Sequence, residues 1–179
     1  MRVLSSAEIL AAFEPHERRK VVSPDDLPWE DLDFLGWIHR SGHLGFVLYE
    51  GDTGLAGVTL ERVVIRTKGA RLFMCDLCCT LHEQGGLASF TRWNRSGTRA
   101  RSYMLCADLK CSLYVRGKRP TGCAQMTETL GVSEKVGRLK ANLGRLFEAP
   151  SAGGGRELLE RPVHCVFWNE GKRKMAVAD

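Results

Sequence analysis

Residues 72–111 read LFMCDLCCTLHEQGGLASFTRWNRSGTRARSYMLCADLKC. Two thiol pairs mark this stretch: Cys75 and Cys78 as C-x2-C, then Cys106 and Cys111 as C-x4-C. Close cysteine pairs a few dozen residues apart are the pattern of a structural zinc site, because each pair places two sulfurs on one metal. Four thiolates close a tetrahedral site and leave no position for water or substrate. The alternative is a set of buried free cysteines packed as small hydrophobes. The paired spacing favours zinc, although the second spacing is wider than the commonest one. Cys79 adjoins the first pair and His82 lies within reach, so either is an alternative ligand to Cys78. The x2 turn favours Cys78, since it directs two sulfurs to one point.

The span between the pairs alternates as a hairpin. Residues 87–94 (LASFTRWN) form one strand, 95–98 a turn and 99–106 the return strand. Asp108 suits a helix N-cap, which puts Cys111 in the first helical turn. Knuckle, β-hairpin and helix in that order make a treble-clef zinc finger. Arg92, Arg99 and Arg101 are expected on one face of the hairpin, with Phe90, Trp93, Tyr103 and Leu105 in packing. Basic residues interleaved with aromatics also stack on bases, so RNA stays open as a partner class.

Charge separates this module from what precedes it. Residues 1–61 carry five Lys or Arg against eleven Asp or Glu, whereas residues 90–120 carry eight against one, Asp108. A cationic module behind an acidic leader suits an acidic protein or RNA phosphates. It is equally what a solvated charged face looks like.

In the leader, Ser5 or Ser6 caps a helix starting near Ala7, with Ile9, Leu10 and Phe13 as its apolar stripe. Pro15 separates it from the basic turn Arg18, Arg19, Lys20. Residues 23–26 read as a break. A second helix is expected from Pro28 to near Gly42, carrying Trp29, Leu32, Leu35 and Trp37. Residues 43–49 and 55–63 read as strands around a turn at 50–54. Residues 63–66 fit either a continued strand or a helix start, and Lys68-Gly69 breaks the pattern.

Beyond the cysteines, residues 117–122 (GKRPTG) lack the leading glycine and following Ser or Thr of a phosphate-binding loop. Cys123 has no cysteine partner nearby. Ser133 is expected to cap a helix through about Phe147, with Val136, Leu139, Leu143 and Leu146 buried and Lys135, Arg138 and Arg145 solvated. Residues 149–155 read as a linker. The tail has an apolar segment at 163–168 and a basic run at 171–174, and its adjacent His164 and Cys165 are not read as ligands.

The expected fold is thus α+β: a treble-clef zinc finger preceded by a small mixed α/β region and followed by an amphipathic helix. The expected divisions are an acidic region 1–66, a zinc domain 67–149, and a linker and basic tail 150–179. An apolar fraction of 44% over 179 residues is enough to build a core. No apolar run reaches the ~18–20 residues of a membrane span, and the N-terminus does not look like a secretory signal. An odd count of seven cysteines, four in metal-like pairs, favours a reducing cytoplasm. The absence of HExxH or a Ser-His-Asp set, with five scattered histidines, points away from an enzyme and a small-molecule substrate.

Laid out this way, residues 72–147 resemble the C-terminal zinc domain of the elongation factor G-binding proteins, the FusB-type fusidic-acid-resistance family. The matching pieces are MCDLC, ASFTRWN, RSYMLCADLKCSLYVRGKR and SEKVGRLKANLGRLF. The resemblance implies a structural zinc on Cys75, Cys78, Cys106 and Cys111. It also implies binding to elongation factor G, helping the factor leave the ribosome when the drug holds it there. The leader departs from that family, whose resistance proteins carry a helical bundle ahead of the zinc domain. Factor binding is therefore implied more strongly than drug resistance. The residues expected to contact the partner are the cations Arg92, Arg101, Lys110 and Arg116, with Trp93 and Tyr114 as aromatic anchors, the types enriched at interface centres.

Overall fold

A computed structural model describes residues 1–24, 27–65, 72–83 and 85–148. The break at Lys68-Gly69, part of that at 23–26, and everything read into the linker and tail lie outside the described residues.

The frame is a five-stranded antiparallel sheet in the order β1-β2-β3-β6-β7. Its strands are β1 (Leu35–Ile38), β2 (Leu44–Gly51), β3 (Gly54–Val64), β6 (Leu87–Trp93) and β7 (Ala100–Cys106). β2 and β3 join through Asp52 and Thr53, with Gly51 opposite Gly54. Gly54 has φ +103°, a backbone that favours glycine. A small second sheet pairs β4 (Phe73–Met74) with β5 (Leu81–His82). The helices are α1 (Ser6–Ala11), α2 (Cys111–Val115) and α3 (Val132–Phe147).

Alternation along the strands sorts the core onto two faces. Leu35 and Trp37 lie opposite Leu48 and Phe46 and pack with Leu4, Ile9, Phe13, Val21 and Leu32 of the leader. Phe13 meets Trp37 and Phe46 edge-on, each at 5.9 Å between ring centres. The other face presents Val47, Val58, Leu60, Phe90, Tyr103 and Leu105 to Leu139, Leu143 and Leu146 of α3 and to the four paired cysteines. The sheet is therefore sandwiched between the leader and the zinc-ligand layer.

Three expectations change. The second leader helix is only a turn of 3-10 helix, Trp29–Asp31, followed by β1. Trp29, Leu32 and Leu35 are spaced like a helical stripe, but Phe34, Leu35, Gly36 and Trp37 are all buried, on two alternating faces. A strand buried on both sides satisfies that pattern and a surface helix does not. α3 begins before Ser133: the Glu134 carboxylate accepts the Gly131 N–H at 2.8 Å. Finally, one sheet crosses the division expected at 66/67, because β3 pairs with β6 from Glu61↔Thr91 to Val64↔Ala88. The same pairing shows that the strand continues through Val64.

Ser5 caps α1 as expected, its hydroxyl accepting the Glu8 N–H at 3.3 Å while the Glu8 carboxylate accepts the Ser5 N–H at 2.8 Å. Arg18 returns to the far end of α1, donating to the carbonyls of Phe13 at 2.9 Å and Ala11 at 3.1 Å.

Candidate metal centre

Each cysteine pair is held by backbone geometry. Around the first, Cys79 donates its N–H to the Cys75 carbonyl at 2.9 Å and Cys75 donates to Thr80 at 3.0 Å, closing the knuckle between β4 and β5. Asp76 locks the knuckle to the sheet edge: its N–H reaches the Met104 carbonyl at 2.8 Å, and its carboxylate accepts the Met104 N–H at 2.6 Å. Asn142 of α3 holds the same turn through the Leu77 carbonyl at 2.9 Å.

The second pair joins the end of β7 to the start of α2. The loop between them turns through Leu109, at φ +56°. Asp108 accepts the Lys110 N–H at 3.0 Å, so it braces the helix start from two residues ahead, while the N-cap position itself belongs to Lys110. Leu109 lies on β1 where Gly36 leaves room: a Cβ on Gly36 would come within 2.7 Å of it.

These elements bring Cys75, Cys78, Cys106 and Cys111 together, all buried, with their sulfurs within 4.8 Å of one another. Cys75 and Cys111 stand 3.8 Å apart, and Cys78 and Cys106 3.5 Å. A tetrahedron with Zn–S bonds of ~2.3 Å has S···S edges of ~3.8 Å. The donor set and its spacing therefore fit a structural zinc, which would take all four sulfurs and contribute folding energy. Without a metal, Cys78 and Cys111 differ in how readily they ionise. Burial opposes ionisation of Cys78, but hydrogen bonds from Cys106, Cys111, Cys75 and Thr80 bring its pKa well below the ordinary thiol value. Contacts with Cys106, Cys75 and Cys78, then burial, push Cys111 well above it. A zinc held by these four sulfurs would remove this contest, since a coordinating thiol is deprotonated outright.

The two alternative ligands are placed separately. Cys79 is the residue that turns the knuckle, at φ +57°, and is not among the four grouped sulfurs. His82 is 1% exposed, and its Nε2 lies 3.3 Å from the Cys106 sulfur. Burial lowers its pKa. Cys123 stands apart, with its sulfur 3.3 Å from the Leu81 carbonyl.

The six expected contact residues divide by what they touch. Arg92 donates to the carbonyls of Leu146 at 2.6 Å and Glu148 at 2.7 Å, closing the C-terminus of α3. Lys110 donates to the Gly36 carbonyl at 3.1 Å, and burial lowers its pKa. Tyr114 donates to Asp108 at 3.1 Å, and burial raises its pKa to about 12. Arg116 grips the Asp33 carboxylate with both terminal nitrogens. These four hold the fold together. Trp93 and Arg101 remain at the surface, on opposite faces of the hairpin: Trp93 is 46% exposed, and Arg101 is half-buried opposite Arg92. The sequence reading missed Asp33, Thr80 and Asn142, and nothing in their local sequence marks them.

Knuckle, hairpin and short helix converging on four buried cysteines define a treble-clef zinc finger. The chain belongs to the family described as FBP C-terminal treble-clef zinc-finger, whose model matches residues 8–149 and so takes in most of the leader. Among solved structures, the fusidic acid resistance protein FusC is similar over 63% of this chain and 52% of its own, at 19% identity and a TM-score of 0.43. The chain thus spans about half the length of that structure. Comparison with curated proteins finds no match. No described helix is long and apolar enough to cross a membrane.

Proposed function

We propose that this protein is a non-enzymatic, cytoplasmic binder of translation elongation factor G that aids its release from the ribosome. The observation that carries the reading is membership of the treble-clef family over residues 8–149, whose resemblance to the FusB-type proteins implies this partner. The closed thiolate set supports a scaffold: four buried sulfurs leave no coordination position for substrate. The exposed tip of the β6–β7 hairpin, with Arg95, Arg99 and the neighbouring Arg101, offers positive charge to an acidic partner.

RNA is the second reading, favoured by the exposed Trp93 and the exposed Arg95 at the hairpin tip. Against it, the Trp93 indole donates to the Glu61 carboxylate at 2.9 Å. A carboxylate at the stacking surface repels phosphate. Capture of partners from lysate by the zinc-loaded chain, with and without nuclease, followed by calorimetry against purified elongation factor G with and without ribosomes, tests the proposal. A nuclease-resistant complex supports it. A partner set lost on nuclease treatment supports RNA, and no binding under any condition rejects factor binding.

A further inference from the structure

We propose that His82 is a positioning residue for the metal: its Nε2–H donates a hydrogen bond to the Cys106 thiolate and holds that ligand on the zinc. The inference rests on the metal centre and does not depend on which partner the protein binds.

Zinc and four thiolates together carry a net charge of about −2. In a buried site that charge needs hydrogen-bond donors aimed at the sulfurs. At Cys106 the donor is His82, whose Nε2 stands 3.3 Å from the sulfur. A thiolate only accepts, so the proton sits on Nε2.

The ring has little freedom to do anything else. Tyr114 meets it edge-to-face at 4.8 Å between centres and 87° between planes. Gly86 closes another side: a Cβ there would come within 2.7 Å of the His82 Cβ and 2.8 Å of its Nδ1. Gly86 is also tied to the ligand strand, its carbonyl accepting the Ala107 N–H at 2.9 Å. Tyr114 is fixed in turn by Asp108. The four sulfurs already complete the group of mutually close donor atoms, and His82 is not part of it. The ring therefore acts through Cys106 and not as a ligand.

Two substitutions separate donation from packing. His82→Phe keeps a ring against Tyr114 but removes the N–H. His82→Gln loses the ring but keeps an N–H donor. The full chain loaded with zinc is challenged with a chromogenic chelator, and the release rate is read. His82→Phe should release zinc on the order of 10–100-fold faster than wild type, with His82→Gln recovering much of the loss. Equal release from His82→Phe and wild type overturns the proposal, as does Phe outperforming Gln. A measurement on wild type covers the case in which a variant fails to fold. In cadmium-113-loaded protein with nitrogen-15 histidine, the proposal requires a proton on Nε2 of His82 and a cadmium coupling transmitted through the Cys106 sulfur. A proton on Nδ1 alone, or direct nitrogen–metal bonding, overturns it.

Discussion

Cys79 lies beside the metal cluster and outside it because it turns the chain. At φ +57° it occupies the left-handed region that glycine enters without steric cost. Cys79→Gly is expected to keep a full equivalent of zinc with the knuckle intact. Cys106→Ser removes a ligand, so metal content should fall and the surrounding module should unfold. Elemental analysis of the two purified variants checks both, and full zinc in Cys106→Ser would sink the ligand assignment. A second residue-scale effect is electrostatic. Glu8 accepts hydrogen bonds from the Ser5 backbone, Arg2 and the Ser5 hydroxyl, which together lower its pKa to about 2. A depressed carboxylate pKa stabilises the fold above the unfolded value, and that contribution is lost as pH falls from about 4.5 towards about 2. The melting temperatures of wild type and Glu8→Gln should differ at neutral pH and converge in acid. A difference that stays constant across that window would contradict this account.

Among the elements, β1 and the preceding turn are attached to α2 through Asp33. Asp33 accepts two bonds from Arg116, and its N–H reaches the Ser112 hydroxyl at 3.0 Å. Asp33→Ala should cost about 2–3 kcal/mol, the range for losing hydrogen bonds to a charged partner in a partly buried site. Chemical denaturation at constant zinc measures it, and a loss below about 0.5 kcal/mol would show the clamp to be idle. This contact also shows where sequence reading stops. The hairpin strands, the thiol pairs and the Leu139, Leu143, Leu146 stripe were legible because each pattern is local and repeats with the element's own period. β1 reads as helix in the sequence because Trp29, Leu32 and Leu35 mimic a helical stripe across what is really a turn and a strand. The roles of Arg92, Lys110 and Arg116 were illegible for another reason. Their acceptors lie 54, 74 and 83 residues away, so only the folded chain pairs them.

Across the whole molecule, the zinc ligands and the leader are physically continuous. Leu109 and Lys110, inside the second ligand loop, rest on Gly36 of β1, and β3 pairs with β6 across the expected division. Removing zinc should therefore speed hydrogen exchange at Leu35–Ile38 together with the knuckle. Exchange confined to the knuckle would mean that leader and zinc module open separately.

The same continuity decides which charges can test the partner surface. Reversal at Lys110 or Arg116 breaks internal bonds, so a drop in binding there would report lost structure. Arg99 is exposed at the hairpin tip, and Arg101 follows it on β7. Charge reversal at Arg99 or Arg101 should leave zinc content and melting temperature near wild type while slowing association with elongation factor G. Exposed charges act mainly on the association rate and are screened within about 8–10 Å at ordinary ionic strength. The deficit should thus widen as salt is lowered. Stopped-flow association at several salt concentrations reads it directly. A rate unchanged in both variants at low salt would remove the hairpin tip from the interface, even if the wild-type chain binds the factor.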